Sequence, residues 1–282
     1  MQRFILFFIL ICVVFSSGLA FKIVLTSDVH ERLNEKGWGP AGLIEWFATV
    51  DRKDLLLMDA GDLFDSKLQL PFFGDNRQQV MDYIKTVKYD AMVLGNHEYY
   101  FSREWFEFYK KFNDSLVGAN VDGLNPYRLF EIDGTKIAVI GLTTVQHLAN
   151  RVEHYGNLPR DPFESLKKTL GNLPEVDYVI CLNHVPHVHD KKILETFPEV
   201  DLVLSGHDHM GPRLEKIGNG YLFEAGSGAN SVYLIEVDPF EKAVTYEQLK
   251  VSTDYKVQSN AVQMAVLIGT ILGILSLAWI LF

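Results

Sequence analysis

The chain has 282 residues, 48% of them apolar, enough for one substantial core and marginal for two, so a single domain is expected. Its formal charge of −10 at pH 7, with no basic stripe, argues against nucleic acid as a partner. Of its two cysteines, Cys12 falls in a leader segment and Cys181 in the apolar run "YVICL", which excludes an internal disulfide from the mature chain and leaves stability to the core.

In chain order, residues 1–20 join a basic Arg3, an apolar run over 4–15 and small residues ending at Ala20, the pattern of a secretory signal peptide. Short apolar runs then alternate with amphipathic segments, the rhythm of an α/β domain over 21–250. Strands are predicted at 22–26, 54–58, 90–94, 115–118, 127–132, 135–140, 177–182 and 201–205, and several are rich enough in Val, Ile and Leu to read as buried on both faces. Helices are predicted at 41–50, at 76–87 with Asp75 as cap, at 103–111 with Ser102 as cap, and at 162–170, where Asp161 caps and Pro162 takes the first position. Asp133-Gly134 between two β runs signals a tight hairpin. After residue 212 only strands are predicted, at 213–217, 221–225, 231–237 and 242–250. Asn113-Asp114-Ser115 is a glycosylation sequon, compatible with a secretory route. Residues 251–264 read as a polar tether. Residues 265–282 carry no charge and read as a membrane anchor, either a spanning helix or the apolar tail of a lipid-anchor signal.

Five of the predicted strands end in residues that bind metals or move protons. "IVLTSDVH" delivers Asp28 and His30; "LLLMDAGD" delivers Asp62; "MVLGNHE" delivers Asn96 and His97; "VICLNH" delivers His184; "VLSGHDH" delivers His207 and His209. Ligands of open α/β sheets gather outside the carboxyl ends of the strands, so the five clusters should converge. Imidazole, carboxylate and one amide, without thiolate, suit borderline or hard divalent ions such as Mn, Zn, Fe or Co. Eight donors from five loops are too many for one ion and suit two that share a carboxylate, and the positive charge left over favours a phosphate oxyanion.

In that order, "DVH", "GDLFD", "GNHE", "NH" and "GHDH" resemble the calcineurin-like metallophosphoesterases, most of all the catalytic domain of the 5'-nucleotidase group, over residues 22–240. The resemblance implies a two-sheet sandwich flanked by helices, a four-layer αββα fold. It implies that Asp28, His30, Asp62 and His209 hold one metal, and that Asp62, Asn96, His184 and His207 hold the other. It also implies that His97 is no ligand but the general acid that protonates the leaving oxygen, with Asn96 helping to hold the developing charge.

Two departures stand out. Members of the nucleotidase group often place an Asp two residues after the Glu of GNHE, able to orient the histidine; Tyr100 stands there, and the sequence leaves open what orients His97. The chain also reaches its tether where nucleotidases carry a base-binding domain, so nucleotide specificity does not follow from the resemblance. Asp65 reads as a turn residue capping a backbone amide, and Glu98 as a supporting partner of the metal ligands. His187 and His189 read as a solvated loop, His147 and His154 as surface residues, and the aromatic residues of 103–111 as core.

The sequence therefore points to a phosphoester hydrolase with two divalent ions, acting on a small phosphorylated substrate, a nucleotide among the candidates. It would work in the secretory pathway, at the cell surface or in an endomembrane lumen, anchored by its C-terminus. A diesterase with the same metal site and a surface binding protein that kept the fold without turnover are the alternatives.

Overall fold

The computed structural model describes residues 20–65, 77–144, 146 and 158–252. The predicted leader other than Ala20, nearly all of the tether, the anchor, Ser66, Asp75, His147 and His154 lie outside the described residues. In chain order the strands are β1 (Phe21–Thr26), β2 (Leu55–Asp59), β3 (Ala91–Met92), β4 (Tyr127–Ile132), β5 (Thr135–Thr143), β6 (Tyr178–His184), β7 (Leu202–Ser205), β8 (Arg213–Ile217), β9 (Gly220–Glu224), β10 (Val232–Asp238) and β11 (Ala243–Gln248). The helices are α1 (Leu43–Trp46), α2 (Arg77–Val87), α3 (Arg103–Phe112), α4 (Pro162–Leu170) and α5 (His187–Thr196).

Two sheets form, in the orders β11-β10-β1-β2-β3 and β4-β5-β6-β7-β9-β8. β1, β2 and β3 run parallel, as do β5, β6, β7 and β9, so each sheet has a parallel centre whose carboxyl ends point one way. Side-chain alternation along the strands separates three apolar layers. Ile23 and Leu25 of β1 meet Val139, Ile180, Leu204 and Phe223 of the second sheet between the sheets. Val24 and Leu57 turn the other way, onto Val80, Ile84 and Phe106 of α2 and α3. Ile140, Cys181 and Val203 face Leu166 of α4 and Ile193 of α5. These layers, helix on sheet on sheet on helix, are the four-layer αββα arrangement, and Cys181 is a packing residue within it.

The returning strands make the domain one unit. β8 and β9 extend the second sheet, while β10 pairs antiparallel with β1, Phe21 opposite Val237, and with β11 completes the first. The hairpin at Asp133-Gly134 forms as read, with Ile132 opposite Thr135. The caps also form: Ser102 Oγ accepts from Trp105 N at 3.3 Å, and Asp161 Oδ1 accepts from Glu164 N at 2.9 Å.

Three expectations about elements are corrected. Residues 115–118 make only isolated bridges, Met92 with Leu116 and Val117 with Asn125, because the chain turns again at Gly118–Val121 before a ladder can extend. The helix expected over 41–50 shrinks to a 3₁₀ turn at Pro40–Gly42 followed by α1; Ala48 N and Thr49 N bond three residues back, which tightens and ends the helix. The segment read as a solvated loop around His187 is α5. The sequon is also closed off in the fold: Asn113 is buried, with its Nδ2 on Tyr109 Oη at 3.1 Å and its Oδ1 accepting from Ser115 Oγ at 2.5 Å.

Candidate metal centre

The five donor-bearing strand ends do meet. Asp28 and His30 follow β1, Asp62 follows β2, Asn96 and His97 follow β3, His184 ends β6, and His207 and His209 follow β7. Ligand atoms of Asp28, His30 and His209 lie within 4.8 Å of one another, as do those of His30, Asp62 and His97, and those of Asp28, Asp62 and His184. The sets overlap at both carboxylates. His209 Nε2 is 3.1 Å from Asp28 Oδ1 and 3.2 Å from His30 Nε2. His184 Nε2 is 3.2 Å from Asp62 Oδ2, 3.3 Å from Asn96 Oδ1 and 3.3 Å from His207 Nδ1. All seven candidate ligands and His97 therefore sit in one cluster.

The backbone is bent to make this possible. Asp28, His30, Asp62, His207 and His209 all adopt positive φ, between 48° and 81°, a region that non-glycine residues rarely enter and that persists where the surroundings impose it. The loops also stack without room for a methyl group. A Cβ on Gly95 would fall 2.0 Å from Asp62 Oδ1, and one on Gly206 would fall 2.3 Å from Ser27 Oγ and 2.6 Å from Asp28 Oδ2. Glycine at both positions lets backbone pass against the two carboxylates.

Three contacts hold the donors from behind. Glu98, fully buried, accepts from Gly95 N at 2.7 Å, Phe64 N at 3.2 Å and Asp62 N at 3.3 Å, fastening the loop after β2 to the loop after β3. This is the supporting role the sequence suggested for it. His184 Nδ1 is 2.7 Å from the Ala60 carbonyl; donating there fixes the tautomer and leaves Nε2 facing the carboxylates. His207 Nε2 meets Gln146 Oε1 at 3.2 Å in the same way, leaving Nδ1 toward the cluster.

Electrostatics match a cation-binding role. Burial is the main cause that lowers His30 to about 4 and His207 to about 4, so both imidazoles are neutral near pH 7, the form that coordinates a metal. Burial alone would raise Asp62, yet His184, His97 and His30 hold it below the usual carboxylate range. Burial likewise opposes charge on His184, but Asp62 overrides it and lifts the imidazole to about 10. A metal entering between these two must displace their proton. Two shared carboxylates, four imidazoles and an amide oxygen, without thiolate, fit divalent cations of the Mn, Zn, Fe or Co type.

His97 stands at the edge of this cluster, its Nε2 3.7 Å from Asp62 Oδ2 and its backbone N–H donating to Asp62 Oδ1 at 2.8 Å. The sequence left its orienting group open. The structure identifies it: Asp65 Oδ1 lies 3.3 Å from His97 Nδ1. Burial works against charge on His97, but the Asp65 contact, with Asp62 and Glu98 behind it, outweighs burial and raises the pKa. Asp65 thus has a role toward His97 that its turn position did not suggest. Its role could not be read from the chain, because the contact joins two loops 32 positions apart.

One further expectation changes here, and one group is new. His187 is not solvated: its Nδ1 is 2.5 Å from Glu224 Oε1, and its backbone N–H donates to Asp208 Oδ2 at 2.6 Å, between His207 and His209. The group that sequence reading missed outright is Asp190 in the first turn of α5. Fully buried, it accepts from Asn183 Nδ2 at 2.8 Å and lies 2.5 Å from Ser205 Oγ, joining the ends of β6 and β7 just before His184 and His207.

Comparison with known proteins agrees with this arrangement. The chain is 24% identical over 242 residues to the trifunctional nucleotide phosphoesterase of Bacillus subtilis, covering 70% of this chain and 16% of that protein. It is 28% identical over 237 residues to the 5'-nucleotidase of Vibrio cholerae, covering 69% and 42%. The crystal structure of a 5'-nucleotidase precursor from Thermus thermophilus superposes with a TM-score of 0.67 at 22% identity, covering 92% of this chain and 60% of that one, which shows the shared fold. The chain thus spans less than half the length of these two curated relatives. The profile described as calcineurin-like phosphoesterase matches residues 21–211, the stretch that carries every donor in the cluster, and the chain belongs to that family.

Proposed function

We propose that the protein is a phosphoester hydrolase that works with two divalent cations on a small phosphomonoester, with nucleotides as the leading substrate class. The observation that carries this reading is the overlap of three donor sets at two shared carboxylates, Asp28 and Asp62, with a histidine backed by Asp65 beside them. When bound, two such ions supply Lewis-acid polarisation of the phosphoryl group and an activated water at neutral pH. The chain's own residues supply the rest. Asp28, His30, Asp62 and His209 would hold one ion; Asp62, Asn96, His184 and His207 the other. With its Oδ1 toward the ion and one N–H on Tyr100, Asn96 would offer its second amide N–H to a phosphoryl oxygen. His97, whose pKa the Asp65 contact helps raise, donates its Nε2 proton to the departing oxygen. The relatives named as nucleotidases and a nucleotide phosphoesterase support a nucleotide substrate.

A location outside the cytosol follows from the leader-like residues 1–20, and membrane attachment from 265–282. Among the described residues no helix is long and apolar enough to cross a membrane, so attachment rests on the C-terminal sequence. Release from membranes by a phospholipase would identify a lipid anchor; retention, a spanning helix.

The test uses the full chain purified in detergent and reconstituted with manganese or zinc. Phosphate release from AMP and an aryl phosphate, lost in Asp62→Asn and His97→Ala, is the expected result. Hydrolysis of diesters only would overturn the monoesterase reading, and metal uptake with no turnover of any ester would point to a binding protein.

A further inference from the structure

Tyr100 occupies the position where an acid was expected to serve His97, and the structure gives it a different target. The single 3₁₀ turn Glu98–Tyr100 folds the chain back on itself, with Tyr100 N donating to His97 O at 3.0 Å, so the side chain of Tyr100 returns over Asn96. Asn96 Nδ2 donates to Tyr100 Oη at 3.1 Å. The opposite end of the same amide, Oδ1, faces His184 Nε2 at 3.3 Å, inside the donor cluster. The tyrosine ring also lies 5.0 Å from the His97 ring, tilted at 55°, filling the space beside it.

We propose that Tyr100 is a positioning residue for Asn96: its phenol oxygen accepts the amide N–H and thereby presents the amide oxygen to the metal centre. The two ends of an asparagine amide have almost the same shape, and their hydrogen-bond partners decide which way each points. A cation requires the oxygen end. The amino end then needs an acceptor, because Asn96 is only 5% exposed and a buried donor without a partner is disfavoured. Tyr100 Oη is that acceptor. The orienting of the general acid and the orienting of the amide ligand are thus divided between two side chains, Asp65 for His97 and Tyr100 for Asn96. A phenol serves Asn96 without adding a further carboxylate to those already around the site, Asp28, Asp62, Asp65 and Glu98.

This inference rests on the metal-dependent reading above, and its test separates the two. Manganese and zinc binding to the full chain is measured by calorimetry for wild type, Tyr100→Phe, Asn96→Ala and the double variant, together with kcat and KM on an aryl phosphate and thermal midpoints. Tyr100→Phe keeps the ring and removes only the acceptor. One of two ions should bind about tenfold more weakly, the size of loss that follows removal of a ligand's outer partner, while the other is unchanged. kcat should fall with KM within about twofold, the pattern of an interaction made chiefly in the transition state. In the Asn96→Ala background the same substitution should change nothing further, because Tyr100 acts through the amide. Wild-type affinity for both ions in Tyr100→Phe, or an equal loss in the presence and absence of Asn96, overturns the proposal. Wild-type protein that takes up no ion overturns the metal-dependent reading itself, and this inference with it.

Discussion

Asp190 provides the sharpest test of how the scaffold supports the site. Its carboxyl group is fully buried, and burial pushes its pKa up to about 8; Glu224 and Asp208 push the same way, while bonds from Ser205 and Asn183 work against the rise. The folded value therefore lies above the unfolded value of 3.8, and the folded chain holds a proton that the unfolded chain has released. Stability from this group is fully present below pH about 4, falls by about 1.4 kcal/mol per pH unit as pH rises, and levels off above about 8. Asp190→Asn imitates the protonated acid: its oxygen can accept from Asn183 Nδ2 and its amino group can donate to Ser205 Oγ. It takes up no proton on folding. Urea unfolding of the two chains in chelator, from pH 5 to 9, should show the variant gaining on wild type by about 1.4 kcal/mol per unit up to pH 8 and no further, roughly 4 kcal/mol in all as an upper bound. Asp190→Ala instead leaves Asn183 Nδ2 and Ser205 Oγ short of a partner and should lose about 2–4 kcal/mol at every pH. A stability difference between Asp190→Asn and wild type that stays constant across this range would refute the reasoning, since Asp190 would then be ionised in the fold.

Other consequences are equally direct. Asp65→Asn removes a carboxylate that raises the His97 pKa, so turnover should fall about 100-fold and the basic limb of the pH–rate profile should move to lower pH; an unmoved limb would show that Asp65 does not set the acid. Glu98→Gln turns an amino group toward at least one of three backbone N–H donors, and chemical denaturation should register a loss of about 1–3 kcal/mol. Gly95→Ala forces a methyl group into Asp62 Oδ1, and calorimetry should record the loss of metal binding even where circular dichroism shows a folded chain.

Much of this architecture was legible because each important strand changes character at one point. β1, β2, β6 and β7 are apolar to their carboxyl ends and then meet Asp, Asn or His, and a parallel sheet brings such ends together. The hairpin at Asp133-Gly134 and the cap at Asp161 were legible for a similar reason, since local turn chemistry determines them. Helix α5 was hidden because the one apolar residue of its first turn, Val188, is exposed and no side chain caps it; only Ile193 and Leu194 mark its apolar buried face. Asp65, Tyr100 and Asp190 gain their roles from contacts between loops or elements that the fold alone brings together. Tyr100 differs in being close in sequence, but the 3₁₀ turn that aims it at Asn96 leaves no composition signal.

The central claim is that five remote strand ends build one two-ion centre around shared carboxylates. Elemental analysis of the purified full chain, saturated with manganese or zinc and then freed of excess ion, tests it most directly. About two equivalents of divalent metal per chain are expected, with both lost in Asp62→Asn, because Asp62 belongs to both proposed sets of donors. A wild-type chain that retains no metal, or an Asp62→Asn chain that still retains two equivalents, would contradict it.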